Sequence, residues 1–265
     1  MSDTPQIARF TDGEGYERFM GRWSRVAGRI FLDWLSLPSK LKWLDVGCGT
    51  GAFTEVIQQL SGASEIRAID PSTAQISYAQ SRKGAEGVQF QVADARSMPF
   101  EDQQFDAAVS ALVLNFIPDR EKAVAEMRRV VRSGGTAAAY VWDFAGRRGT
   151  SQHLHSAVMD LEGPGYRPAA LNAESTTQEN LKALFEAAGL TDVVTHSFEI
   201  SVTHRDFDDY WDSHTKFTSP IGSHIQSMTK ENRQRLKQMV KARLPIDDHG
   251  AVSFTAKINA VRGAV

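Results

Sequence analysis

The sequence predicts an α/β protein whose helices pack on a parallel sheet, and two observations carry that expectation. Between Leu41 and Trp142, short apolar runs alternate with segments that mix polar and apolar residues at helical spacing. Successive right-handed βαβ units produce this alternation. The stretch Gly47-Cys48-Gly49-Thr50-Gly51 separates the first apolar run from the first helical segment. A strand that turns sharply into a helix needs residues without a Cβ at that point.

The elements follow in order. Tyr16, Phe19, Met20 and Trp23 recur at the spacing of one helical face ahead of the sheet. Arg22 on the same segment reads as a solvated charge. Leu41–Val46, Glu65–Ile69, Val88–Val92, Phe105–Val113 and Thr136–Val141 read as strands, with helices at Ala52–Leu60, Thr73–Ser81 and Arg120–Val131 between them. Asp119 suits a helix N-cap, and Gly134 stands where a helix end favours a left-handed residue. Asp143 to Ser175 is irregular and rich in Gly, Pro and Arg. Thr176-Thr177-Gln178-Glu179 reads as a capping box opening a helix that Gly189 ends. Asp192–Val202 and Val252–Val261 read as two further strands, enclosing a polar helical insertion from about Asp206 to Leu244.

Composition narrows the function classes. Of 265 residues, 42% are apolar and 23% charged, enough to form a core, so the chain is not read as disordered. A formal net charge of −2 argues against a nucleic-acid binder held by bulk charge. The one cysteine, Cys48, allows neither an intrachain disulfide nor a cysteine zinc site and leans towards a reducing compartment. The opening Met1-Ser2-Asp3-Thr4-Pro5 lacks a basic stretch followed by an apolar run. The longest nearly apolar run, Ala107 to Ile117, is too short to span a bilayer. A cytoplasmic protein without a membrane span is expected.

The glycine loop carries the chemistry. Its glycines let a ligand approach main-chain atoms. Asp70 ends the second strand, where a carboxylate can hold two ribose hydroxyls. Asp94 ends the third, where a carboxylate can accept a hydrogen bond from an adenine amine. Three such strand ends in a row describe a nucleoside site along the carboxyl edge of the sheet. Plainer roles stand beside these: Asp70 as a helix N-cap followed by Pro71, Asp94 as a loop carboxylate, and Cys48 as a small residue filling the loop.

The segments LDVGCGTG (44–51), AIDPS (68–72), VADARSMPFEDQQFDAAVSALVLNFIPD (92–119) and VVRSGG (130–135) resemble the class I S-adenosylmethionine-dependent methyltransferases. Within them the sequence is similar to the small-molecule group that includes the ubiquinone/menaquinone-biosynthesis methyltransferases. The resemblance implies a Rossmann-like, doubly wound, seven-stranded sheet in the order 3-2-1-4-5-7-6. Strand 7 is then antiparallel, with Asn259 on it. One domain is implied for 1–265: a cofactor-binding core at about 40–142, an N-terminal helical cap at 1–38, and helical lid insertions at about 143–175 and 204–250.

The resemblance also implies S-adenosylmethionine as cofactor and S-adenosylhomocysteine as product, with a small-molecule acceptor and a monomer or homodimer. Asp45 and Gly47 would lie near the methionine end of the site, Gly49 and Gly51 would shape the loop and the helix entry, and Cys48 sits within that cofactor loop. Asp70 and Pro71 would meet the ribose, Asp94 and Ala95 the adenine, and Leu112 the sulfonium region. Tyr16 and Met20 would close over the cofactor. Asn115, Phe116, Trp142 and Phe19 would face the acceptor. Asn115-Phe116 stands where many relatives carry a His pair. The candidate bases are therefore His153, His155, Tyr210, His214 and Asp143, for an acceptor that must lose a proton. His153 and His155, two apart on a helix, point in nearly opposite directions, so no metal site is expected there. A Pro-Pro-aromatic run after strand 4, the signature of nucleic-acid methylation, is absent.

Two other functions fit parts of the sequence. A nicotinamide-dependent oxidoreductase would use a similar loop, but with its last glycine one residue later, and no Tyr-x-x-x-Lys pair stands out. A non-catalytic S-adenosylmethionine-binding protein would keep the same loop and acidic residues.

Overall fold

A computed structural model of the chain describes residues 21–163, 172–216 and 220–265. The core is a seven-stranded sheet in the order β3-β2-β1-β4-β5-β7-β6. Its strands are β1 (Lys42–Val46), β2 (Glu65–Asp70), β3 (Val88–Val92), β4 (Phe105–Ala111), β5 (Val131–Trp142), β6 (Thr191–His204) and β7 (Val252–Ala264). The first five run parallel, and β7 is antiparallel to both β5 and β6. The direction of β6 therefore matches that of β5. All strands but β7 end on one edge, where ligands of open α/β sheets bind.

Helices cover both faces. On one lie α1 (Arg22–Leu35) and α2 (Ala52–Leu60), which bury Phe31, Leu35, Phe53 and Ile57 against Trp43, Val109 and Tyr140. The same face takes α3 (Thr73–Ser81), because Ile76 packs on Ala68, two residues from Ile66 on β2. On the other lie α4 (Arg120–Val130) and α6 (Gln178–Ala187), with Met127, Leu181 and Phe185 against Ala108, Ala139 and Val261. A separate apolar cluster, including Leu154, Tyr210, Ile225, Leu236 and Val240, joins α5 (Gln152–Glu162), α7 (Phe207–Thr215), α8 (Pro220–Ser227) and α9 (Lys230–Arg243). Among the described residues no helix is long and apolar enough to cross a membrane.

Local chemistry accounts for most boundaries. The Asp119 carboxylate accepts from Lys122 N at 3.1 Å and opens α4, with Glu121 in its first turn and Arg128 and Arg129 in its last. Gly189 ends α6 at φ +81°.

Five expectations need correction. The strand expected to run to Val113 stops at Ala111, because Leu112 turns to φ +62° and a short 3-10 helix, Leu114–Phe116, follows. Strand β5 starts at Val131, earlier than expected, and bulges. Phe105 and Ala107 of β4 pair with Val131 and Thr136, so 132–135 loop out. Gly134 (φ +73°) is part of that bulge rather than a helix cap, and its N–H donates to Val265 O at 2.8 Å. The cap of α6 is Thr177, which accepts from Asn180 N, so Thr176 and Glu179 form no capping box. Thr176 belongs instead to a second 3-10 turn, Ala173–Thr176. The helix start after β2 is capped by Ser72, which accepts from Gln75 N, and not by Asp70. Tyr16, Phe19 and Met20 lie outside the described residues; Trp23 of the same face is buried.

Candidate active site

The loop after β1 is built around backbone that only glycine adopts easily. Gly47, Gly49 and Gly51 have φ of +78°, +54° and +79°. A Cβ on Gly47 would sit 2.6 Å from Val113 Cγ1, so the loop also lies hard against the turn after β4. Gly47 N and Cys48 N both donate to Ile69 O, at 2.8 and 2.9 Å, which ties the loop to β2. Gly51 caps α2 in the left-handed region.

Two carboxyls flank this loop. Asp45 is fully buried and accepts from Thr54 Oγ1 of α2 at 2.6 Å. Its Oδ1 has no partner among the described residues. Burial pushes its pKa up to about 7; the Thr54 bond opposes this and the charge of Asp70 adds to it. Asp70 accepts from Gly49 N at 3.1 Å and from Ser72 N at 2.9 Å. Burial also raises its pKa, against the pull of those two N–H groups. Cys48 lies buried between them, and burial followed by both carboxylates raises its thiol pKa. The thiol is thus held protonated and unreactive.

Further along the edge, Asp94 grips the guanidinium of its neighbour Arg96 at 2.6 Å, which lowers its pKa. Pro71 is exposed and Ala95 is buried. Leu112 is buried despite its left-handed backbone, a strained conformation for a leucine. Asn115 is 1% exposed, and neither end of its side-chain amide has a partner among the described residues. Its carbonyl accepts from Asn172 Nδ2 at 3.1 Å, which joins the two 3-10 turns. Phe116 beside it is half-buried. Trp142 is buried at the end of β5, and its indole N–H is unpartnered among the described residues.

The candidate bases divide. Asp143 is occupied structurally: it accepts from Gly146 N at 2.8 Å and faces Lys257 Nζ at 3.4 Å. His155 on α5 has its pKa pushed down to about 4 by burial. His153 makes a T-shaped contact with Phe254. Tyr210 and His214 are buried on α7, one turn apart and in ring contact at 4.3 Å. Two residues at this edge carry no motif. Thr54 is Asp45's partner, and its position in the first turn after Gly51 is the only sequence signal for it. His204, the last residue of β6, joins Tyr210 and His214 through contacts no local pattern reports.

Residues 44–139 match the family model described as methyltransferase domain. Methyltransferase GfsG of Streptomyces halstedii is 33% identical over 160 residues, covering 59% of this chain and 55% of that protein. The demethylmenaquinone methyltransferase of Bacillus velezensis is 32% identical over 188 residues, covering 64% of this chain and 80% of that one. Among solved structures, phosphoethanolamine N-methyltransferase 2 of Haemonchus contortus in complex with S-adenosyl-L-methionine has a TM-score of 0.56 at 15% identity, over 98% of this chain and 58% of that one. At that identity the likeness concerns the fold. Sheet order, glycine loop and flanking carboxyls together define a Rossmann-like methyltransferase fold. The chain belongs to the methyltransferase-domain family.

Proposed function

We propose that this protein moves a methyl group from S-adenosylmethionine to a small-molecule acceptor. The observation that carries the reading is the loop itself: left-handed glycines tied by Gly49 N to the Asp70 carboxylate, at the edge where β1, β2 and β4 end. Family membership favours methyl transfer over nicotinamide chemistry on the same kind of loop.

The residues present fit the cofactor. Two buried carboxyls with raised pKa values, one with an unpartnered oxygen, describe a pocket that gains from a cation. In this reading Asp45 and Gly47 lie by the methionine end, while Cys48, Gly49 and Gly51 form the loop and helix entry beside it. Asp70 and Pro71 meet the ribose, Asp94 and Ala95 the adenine, and Leu112 the sulfur region. When bound, the cofactor supplies a methyl group on a positively charged sulfur that departs neutral. The chain's task is then alignment and exclusion of water. Asn115, Phe116 and Trp142 lie at the ends of β4 and β5, where an acceptor would approach, and the unpartnered amide and indole N–H suit an acceptor with polar groups. The names of the relatives, a demethylmenaquinone methyltransferase among them, support a small organic acceptor.

The test is calorimetric titration with S-adenosylhomocysteine, followed by a screen of acceptor classes with isotopically labelled S-adenosylmethionine. Binding with transfer to at least one small molecule supports the reading. Binding without transfer across phenols, quinols, amines and carbon acids overturns it in favour of a cofactor-binding protein.

A further inference from the structure

Asn259 stands on β7 opposite Val141 of β5 and Ser197 of β6. It is 2% exposed, and its neighbours along the strand, Ile258, Ala260 and Val261, are buried and apolar. Side chains alternate along a strand, so Asn259 shares with Val261 the face that packs on α4 and α6. A buried amide costs stability unless its ends are bonded. Here both ends are. Asn259 Nδ2 donates to Thr176 O at 2.8 Å, and its Oδ1 accepts from Ser197 Oγ at 2.6 Å. A carbonyl only accepts, which puts the NH2 end at Thr176. Ser197 Oγ accepts in turn from Gln178 Nε2, and Gln178 Oε1 accepts from Thr195 Oγ1 at 3.3 Å. The ladder of β7 runs through backbone groups, so what the amide adds is a hold on the turn at Thr176.

That turn, Ala173–Thr176, also ties the ends of two other strands. Thr176 is 0% exposed. Its hydroxyl donates to Ala173 O at 2.6 Å and accepts at 3.2 Å from Ala145 N, in the loop that follows Trp142 at the end of β5. Asn172 just before the turn has left-handed backbone, φ +37°, and sends its side-chain amide to Asn115 O at 3.1 Å, in the loop after β4. Its own carbonyl accepts from Ser175 N and Ser175 Oγ, at 2.8 and 2.6 Å, which fixes residue 172 to the turn. One turn is thus fastened in three directions: to β7 through Asn259, to the loop after β4 through Asn172, and to the loop after β5 through Thr176.

We propose that Asn259 is a positioning residue for the methyl acceptor: by holding the turn Ala173–Thr176 it sets where Asn115 and Trp142 stand on the acceptor side. The proposal rests on the methyl-transfer reading. The loop after β1 is held separately, by Ile69 O and the Asp70 carboxylate. Loss of the Asn259 amide therefore loosens the acceptor side and leaves the cofactor side in place. In-line transfer tolerates little misalignment, and a displacement of about 1 Å can cost about a hundredfold in rate.

The test measures backbone hydrogen exchange in the full chain saturated with S-adenosylhomocysteine, and methyl transfer to the compound that reacts fastest in the acceptor screen. Asn259→Leu, of similar size, should speed exchange several-fold at Ala145, Phe116 and Ile117, whose N–H groups are bonded within these loops. It should lower kcat/KM for that compound at least about tenfold. The affinity for S-adenosylhomocysteine, the KM for S-adenosylmethionine and exchange in the loop after β1 should stay as they are. Two variants of the turn divide the effect. Asn172→Gly, at an exposed residue whose left-handed backbone suits glycine, should speed exchange at Phe116 and Ile117 but not at Ala145. Thr176→Val, which keeps the shape, should do the reverse. Each should add little to Asn259→Leu at its own loop, because changes that act through one turn do not sum. An Asn259→Leu protein that melts lower yet exchanges and transfers as the wild type does would overturn the proposal, and so would full additivity. If Asn259→Leu does not fold, the turn variants decide: kcat/KM lowered by both supports the proposal, and unchanged kcat/KM in both overturns it. A wild type that fails to bind S-adenosylhomocysteine, or methylates nothing in the screen, would instead overturn the methyl-transfer reading beneath it.

Discussion

Gly49 donates its backbone N–H to Asp70 Oδ2 across 3.1 Å, and the same carboxylate accepts from Ser72 N at 2.9 Å. One side chain thus fixes both the glycine loop after β1 and the turn after β2. Removing it has two separable effects. Asp70→Ala leaves two N–H groups without their acceptor, which costs about 1–3 kcal/mol of stability. It also removes the proposed ribose ligand, so the affinity for S-adenosylhomocysteine should fall at least about tenfold, which is 1.4 kcal/mol or more. Thermal melting reads the first and calorimetry the second. A variant that melts lower but binds as tightly as the wild type would leave Asp70 a loop tie alone.

Gly47 and Val113 make a second contact that constrains the loop. A Cβ at residue 47 meets Val113 Cγ1 at 2.6 Å and Cγ2 at 2.7 Å, on backbone at φ +78°. Gly47→Ala therefore combines a clash with left-handed strain, and a loss of about 2–4 kcal/mol is expected in melting experiments. Val113→Ala in the same chain makes room but leaves the backbone strain. The double variant should recover part of the loss and stay below Val113→Ala alone. Full recovery would show that the conformation at residue 47 costs nothing.

The parts legible in the sequence were those with local causes. The spans Ala52–Leu60, Thr73–Ser81 and Val88–Val92 emerge to the residue. They do so because Gly51, Ser72 and the apolar spacing mark them within a few positions. The end of β4 did not emerge. Leu112-Val113-Leu114 is as apolar as the strand before it, and a positive φ at a leucine leaves no mark in composition. Gly134 reads as a helix end, yet Arg132-Ser133-Gly134-Gly135 bulges inside a paired strand because Val131 already pairs with Phe105. The grip of Arg96 on Asp94, two residues away, was within reach of sequence reasoning. His204 was not, since its partners Trp23, Tyr210 and Phe254 come together only when the sheet edge and α7 are assembled.

Asp45 makes the ligand-free protein sensitive to pH. Burial raises its pKa from 3.8 to about 7 in the folded state. Between those values the folded chain binds the proton more tightly than the unfolded one. Stability from this group is therefore fully present below about pH 4 and is lost as pH rises through about 7. The melting temperature of the ligand-free protein should fall between pH 5 and 8 by an amount that Asp45→Asn removes. The asparagine cannot ionise and can still accept from Thr54 Oγ1. An identical slope in wild type and variant would assign the pH dependence to other groups.

Asn115 separates stability from function most directly. Its amide is 1% exposed and unpartnered among the described residues, so in the ligand-free protein it carries a desolvation cost with no hydrogen bond to offset it. A side chain of similar size without polar atoms should be tolerated or stabilising. Asn115→Leu is expected to raise stability by up to about 1 kcal/mol, since the tie to Asn172 uses the backbone carbonyl and survives the change. The affinity for S-adenosylhomocysteine should stay as it is, because the loop after β1 is untouched. Methyl transfer to an acceptor found by screening should fall through a higher KM, because the amide's two hydrogen-bonding ends are then missing from the acceptor side. A variant that melts more than about 1 kcal/mol lower would mean that the amide already has a partner in the folded chain. Unchanged KM with higher stability would place the acceptor away from the end of β4.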